Sequence, residues 1–161
     1  MSSIVDDFAE ALSTVRRPST FFVAATEPML APGLAVDGIG PVALPLLPVQ
    51  AEQLIAAAER APYGRGEQTL TDIEVRRTWQ IDAERVRIDG KHWPDTLNAI
   101  VARVTEGLGI DGPVEADLYK LLIYDQGSFF VPHRDTEKLP GMFATLVLAL
   151  PSLVTMLGAR P

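Results

Sequence analysis

The fold is decided by residues 118–138, which read LYKLLIYDQGSFFVPHRDTEK. Residues 118–124 form an apolar run typical of a β-strand, and residues 125–127 predict a turn. A second extended run then carries His133 and Asp135 two positions apart. Side chains at positions i and i+2 of a strand point to the same face, so we expect the imidazole and the carboxylate to project together.

A histidine and an aspartate on one strand face make up two-thirds of a metal site. Non-heme Fe(II) oxygenases hold iron with two histidines and one carboxylate, so one more histidine is needed. The other histidine of the chain, His92, lies beside Trp93 at the entry to a predicted helix. A role in the loop or as a local hydrogen-bond partner is favoured for His92. The alternative is that His92 is the third iron ligand, either in the same chain or contributed by a second copy of the chain. The alternative for His133 and Asp135 is an ion pair or hydrogen-bonded pair on an ordinary strand.

The residues around this pair extend the motif. Tyr124 and Gly127 precede the histidine, and residues 141–146, which read GMFATL, follow the aspartate. This pattern resembles the prolyl 4-hydroxylase-like group of Fe(II)- and 2-oxoglutarate-dependent dioxygenases, most closely over residues 116–151 and more weakly back to about residue 36. The resemblance implies His133 and Asp135 as iron ligands, Tyr124 near the 2-oxoglutarate co-substrate, and a hydroxylation substrate whose identity stays open.

The sequence departs from that family in two places. Phe130 stands where relatives often carry a tyrosine, and no histidine follows Asp135. The only arginine or lysine after Lys138 is Arg160, next to the last residue, and we do not assign it to the 2-oxoglutarate carboxylate. We therefore expect a chain shortened by truncation or by an altered reading frame, inactive as given. The alternative is a non-catalytic fragment that binds a partner protein or associates with itself through an exposed sheet edge.

The expected fold class is α+β, an incomplete double-stranded β-helix (jelly roll) with supporting α-helices. A jelly roll needs eight strands, whereas the residues from 116 onward have room for only about four or five. We expect a single domain over residues 1–161. Its parts are an N-terminal helix over 1–18, a helix and strand support region over 19–115, core strands with the His-x-Asp motif over 116–151, and a divergent tail over 152–161.

Hydrophobic periodicity predicts the other main elements. Helices are expected over residues 49–61 and from the entry at residues 91–95 to the glycines at 107 and 109. Strands are expected over 69–81 and 85–88. A further strand over 142–150 is apolar on both faces and is expected to be covered.

Proline and glycine predict an irregular segment over residues 28–41 and an edge strand over 42–46. The arginines of the two strands before the second helix are expected to line a solvated face. The alternative is that Arg76 or Trp79 faces a substrate.

Composition limits the classes of protein, partner and site that this chain allows. The chain has 161 residues, of which 47% are hydrophobic and 22% charged, which suits a globular domain. The net charge of −7 argues against a nucleic-acid partner, which needs a basic surface. There are no cysteines, so thiolate metal sites and disulfides are excluded. No signal-peptide pattern and no apolar run of membrane-spanning length is present, so we expect no membrane partner and a cytoplasmic protein.

Overall fold

A computed structural model describes residues 4–5, 20–28, 31–61, 63–65, 68–70, 78–124 and 137–153. The chain divides into two compact units, which are described separately: Met1–Leu30 with Pro94–Ala116, and Ala31–Trp93 with Asp117–Pro161. The single-domain organisation expected from sequence stays a prediction. The described elements, in chain order, are β1 (Leu34–Val36), β2 (Gly40–Pro41), α1 (Pro48–Ala57), β3 (Glu59–Arg60), β4 (Tyr63–Arg65), β5 (Gln68–Leu70), β6 (Thr78–Asp82), β7 (Val86–Ile88), α2 (Trp93–Leu108) and β8 (Lys120–Tyr124).

The first antiparallel sheet has the strand order β2-β1-β7. Its central strand β1 is buried at all three positions, and Leu34 and Val36 belong to the hydrophobic core. The hairpin from β1 to β2 turns through Gly38 and Gly40, whose φ angles of 82° and 88° lie in the left-handed region that glycine adopts without strain. On its other side β1 pairs with β7, in a register that places Val36 opposite Val86.

The second antiparallel sheet has the order β3-β6-β8. Strand β6 pairs with β8 along its whole length, from Thr78 opposite Tyr124 to Asp82 opposite Lys120. A separate two-stranded hairpin is formed by β4 and β5. All described strands therefore pair in the antiparallel sense and lie in one unit.

Both sheets and α1 contribute to one hydrophobic core. Helix α1 starts with Pro48, which is favourable at the first helical position, and buries Leu54. The buried members of the core are Leu34, Val36, Val42, Leu54, Ile81, Val86 and Ile123. Strand β8 thus belongs to the core of its unit, and α1 is a supporting helix, as expected.

The other unit contains all of α2 except its first residue. The helix ends where predicted, and Gly109 follows with a φ of 63°, the left-handed conformation common after a helix C-terminus. Gly107 lies so close to Val23 that an added Cβ would come within 2.5 Å of the valine Cγ2 atom. Arg103 on the same helix forms an ion pair with Glu27. Across the described residues, no helix is both long and apolar enough to cross a membrane.

Two expectations from sequence need correction. The helix predicted over residues 49–61 ends at Ala57, because Glu59 and Arg60 instead pair with β6 as strand β3. Residues 42–46 form no strand beyond a single bridge between Leu46 and Ser152. The α+β class is as expected, with the described strands in open antiparallel sheets, and the incomplete jelly roll stays a prediction.

The predicted strand over residues 142–150 is also wrong. This segment has no regular structure and is largely exposed, with Phe143 at 59% and Val147 at 74%. No described strand forms a ladder with it, and an apolar sequence without a partner strand cannot satisfy its backbone groups as a sheet does. Its end is held in place, because Leu150 packs against the core and the Leu46 N–H donates to the Pro151 carbonyl at 2.8 Å.

Candidate functional site

Strand β8 ends at Tyr124, and the residues that lead to the predicted iron motif follow it in the sequence. Leu121 packs against the core and Ile123 is part of it, so alternate residues of β8 point inward. The other three residues, Lys120, Leu122 and Tyr124, share the opposite face. Tyr124 is the last residue of the strand and is 40% exposed. The predicted co-substrate contact is therefore on the sheet face that does not enter the core.

Thr78 is the residue directly across from Tyr124. The two Cα atoms are partners in the β6–β8 ladder, and directly opposed residues of an antiparallel pair share a face. Thr78 has a relative exposure of 0%, and its Oγ1 atom has no hydrogen-bond partner in the described structure. Buried polar groups are nearly always hydrogen-bonded, so this hydroxyl is an exception that needs an explanation.

The backbone around Thr78 is well fixed. Its carbonyl accepts a hydrogen bond from the Ala61 N–H at 3.0 Å, and Ala61 is itself buried. The neighbouring ladder position pairs Trp79 with Ile123 of the core. Thr78 thus lies on a hydrogen-bonded strand and not on a loop.

Lys120 is the basic residue on the same face of β8. Its Nζ atom donates to Gln80 Oε1 at 2.8 Å and lies 4.3 Å from the centre of the Tyr119 ring. It lies four residues before Tyr124, which on a strand corresponds to about 13 Å. Lys120 is therefore held away from the tyrosine end of the face and is not placed to neutralise an anion there.

The arginines near this sheet have structural roles where they are described. Arg85 donates to the Ala57 carbonyl at 3.0 Å, and Arg87 lies 3.6 Å from Asp37 as an exposed pair. Trp79, the alternative substrate contact, packs against the core and lies under the Arg60 guanidinium at 4.4 Å. These contacts give Trp79 a packing role.

The two predicted iron ligands, His133 and Asp135, lie outside the described residues, as does Arg76. Their assignment stays a prediction. His92 is an exposed residue of the turn before α2. Within the described ranges, no group of three or more histidine, aspartate or glutamate side chains could hold a metal ion.

Thr78 is the residue that the sequence pattern alone did not single out. The pattern placed it within a strand, but a threonine in a strand is ordinary. Its significance depends on the register with β8, which is set by tertiary packing. Comparison of the chain with protein-family models, with curated proteins and with solved structures found no match.

Proposed function

We propose that this chain has the architecture of part of a jelly roll from the prolyl 4-hydroxylase-like group of Fe(II)- and 2-oxoglutarate-dependent dioxygenases. In this proposal His133 and Asp135 are the Fe(II) ligands and Tyr124 contacts 2-oxoglutarate. The hydroxylation substrate is not specified by any described residue.

One observation carries the proposal. Strand β8 is paired antiparallel with β6, anchored in the core through Ile123, and ends at Tyr124. The residues that lead to the His-x-Asp pair therefore leave from the end of a fixed antiparallel sheet, the kind of sheet of which jelly rolls are made.

The side chains that the chain offers are of the types that bind Fe(II) and 2-oxoglutarate. One imidazole and one carboxylate are ligands that Fe(II) accepts, and two hydroxyl-bearing residues, Tyr124 and Thr78, face the same way at the end of the sheet. When bound, Fe(II) would supply the activation of dioxygen and 2-oxoglutarate the electrons, giving succinate, carbon dioxide and a hydroxylated product. The chain would contribute binding and orientation.

The ligand count limits the activity that we propose. The sequence contains two histidines, and His92 lies in a turn before α2 and not in the second sheet. His133 and Asp135 supply two protein ligands where the facial triad has three. We propose that the 161-residue chain binds divalent metal weakly and does not turn over 2-oxoglutarate by itself.

A Mn(II) titration tests the ligand assignment. The wild-type chain should bind one Mn(II) ion, and His133→Ala and Asp135→Ala should each weaken binding at least tenfold. Arg134→Ala is the matched control, because on a strand its side chain points to the opposite face, and it should bind as the wild type does. Equal affinity in all four proteins would refute the assignment.

A turnover assay tests the expected inactivity. The chain with Fe(II), 2-oxoglutarate and ascorbate should release no more succinate than a blank without protein. Succinate above the blank that disappears in Asp135→Ala would overturn the inactivity and would support the iron site.

A second proposed function, a non-catalytic self-associating module, rests on exposed apolar side chains. In the segment 137–153, Leu139, Phe143 and Val147 are 54%, 59% and 74% exposed. Strand β8 is also an edge strand among those described, and unpaired edges promote association. Light scattering coupled to size exclusion should show a mass that rises with protein concentration, whereas a monomer at every concentration would refute this function.

A further inference from the structure

Residues 139–153 form an uncharged apolar segment on the surface of their unit. None of these fifteen residues is Asp, Glu, Lys or Arg, although 22% of the whole chain is charged. Five of their apolar side chains are exposed: Leu139 at 54%, Phe143 at 59%, Leu146 at 38%, Val147 at 74% and Leu153 at 37%. A monomeric protein rarely exposes so many large apolar side chains within one short segment.

This segment is anchored at both ends. Near its start, the Gly141 N–H donates to the Glu137 Oε1 atom at 2.9 Å. Near its end, Leu150 packs against the core, and the Leu153 N–H donates to the Leu46 carbonyl at 3.0 Å. The exposed side chains lie between these contacts, so they form a defined surface that a partner can contact.

The area of this surface suits a second copy of the same segment. Five partly exposed apolar side chains offer on the order of 500 Å², at the upper end of the largest apolar patch on a typical monomer. Two such patches in contact bury on the order of 1,000 Å² together, which is the lower limit for a specific interface. We expect a weak, reversible dimer with a Kd of roughly 10 μM or weaker.

The charge of the chain also favours a second copy. Each chain carries a net charge of −7, so two chains repel each other where their charged surfaces meet. Contact between two 139–153 segments brings no charged side chain of one segment against the other, so it avoids direct like-charge repulsion. A strongly basic or acidic partner gains no electrostatic attraction from a segment without charge.

We infer that the 139–153 segments of two copies pack against each other in an isologous contact and form a closed dimer. This inference rests on the proposed self-association and names its surface, its partner and its stoichiometry. Both copies use the same patch, so the patch is fully occupied in the dimer and assembly stops there. The edge of strand β8 is not part of the contact.

Light scattering coupled to size exclusion, applied to the metal-free chain, tests the stoichiometry. With rising protein concentration, the mass should approach twice the monomer mass of 17.5 kDa and stay there. Raising NaCl from about 0.02 M to about 0.5 M should strengthen the dimer, because salt screens the repulsion between two negative chains. A mass that grows beyond the dimer, or a dimer that dissociates in salt, would refute an isologous apolar contact.

Val147→Glu tests the surface itself. It places a carboxylate on each copy within the contact and should raise the Kd of the dimer by at least about tenfold, because a buried unpaired charge is unfavourable. Val5→Glu is the matched control, because Val5 is also 74% exposed, lies in the other compact unit and gives the same net charge. This control should dimerise as the wild type does, and Val147→Ile, which keeps the side chain apolar, should dimerise at least as tightly.

A second position separates a damaged contact from a damaged fold. Phe143→Glu should weaken the dimer as Val147→Glu does. Both variants should melt within about 2 °C of the wild type, because substitutions at exposed positions change stability little.

The outcomes distinguish the inference from the proposed self-association. If the wild type dimerises and Val147→Glu dimerises equally well, the 139–153 surface is refuted and self-association through another surface stands. If the wild type is a monomer at every concentration, the proposed self-association fails and the inference fails with it. Loss of the dimer in Val147→Glu and Phe143→Glu, with a retained dimer in Val5→Glu, supports both.

Discussion

Replacing Ile81 by alanine tests whether β6 and β8 form the core on which the site depends. Ile81 is 1% exposed, belongs to the buried core and lies opposite Leu121 of β8. The substitution removes three buried carbons at about 0.8 kcal/mol each, or about 2.4 kcal/mol, and leaves a cavity that adds about 1 kcal/mol. We expect a loss of about 3 kcal/mol in the free energy of unfolding.

Ile4→Ala is the matched control, because the same three carbons are removed from a side chain that is 82% exposed. It should change the free energy of unfolding by less than about 0.5 kcal/mol. Urea unfolding followed by circular dichroism measures both variants, and the slope should stay unchanged if each alters only the folded state. A loss below about 1 kcal/mol for Ile81→Ala would refute the placement of β6 in the core, and with it the rigid position of Tyr124 and Thr78.

Three further predictions follow from described contacts. Gly33→Ala should lower the melting temperature by several degrees, because Gly33 has a φ of 71° and its added Cβ would lie 2.3 Å from the Gly90 nitrogen. A melting temperature equal to that of the wild type would contradict this close approach. Arg87→Ala should change the free energy of unfolding by less than about 0.5 kcal/mol in a urea titration, because its ion pair with Asp37 is solvent-exposed. A loss above about 1 kcal/mol would refute this prediction and show that the pair is stronger than other exposed pairs. Phe143→Ser should lower the concentration dependence of the mass seen by light scattering, because it removes an exposed ring, and an unchanged mass would exclude this side chain from self-association.

Periodicity in the sequence predicts the elements that have a clear repeat. The helix predicted after the entry at residues 91–95 is found as Trp93–Leu108, and the strand predicted up to Tyr124 is found from Lys120 onward. Each has enough residues for its apolar pattern to be distinguished from its surroundings, and the helix has glycine at its end. The strand Val86–Ile88 was predicted for the same reason.

The most buried of the described strands was not predicted. Residues 28–41 contain several prolines and glycines and were interpreted as irregular, yet Leu34–Val36 is buried at all three positions. The glycines belong to the turn of a hairpin and to the close approach between Gly33 and Gly90, so they mark the limits of a short strand. A run of three apolar residues is too short for a period-two pattern to reveal it.

The opposite error occurred over residues 142–150, where an apolar run predicted a covered strand. Strand formation requires a partner as well as a suitable composition, and no described strand pairs with this segment. The ladder that brings Thr78 opposite Tyr124 was unpredictable for a related reason. Register is set by packing between distant parts of the chain, which a local pattern does not contain.

The iron-site proposal is tested most directly by the visible charge-transfer absorbance that forms when Fe(II) and a 2-oxoacid chelate bind together in one site. Under anaerobic conditions, the wild-type chain with both ligands should develop this band, and Asp135→Asn should lose most of it while Arg134→Ala retains it. A wild-type spectrum identical to that of the ligands without protein, or a band of equal intensity in Asp135→Asn, would contradict an iron centre at His133 and Asp135.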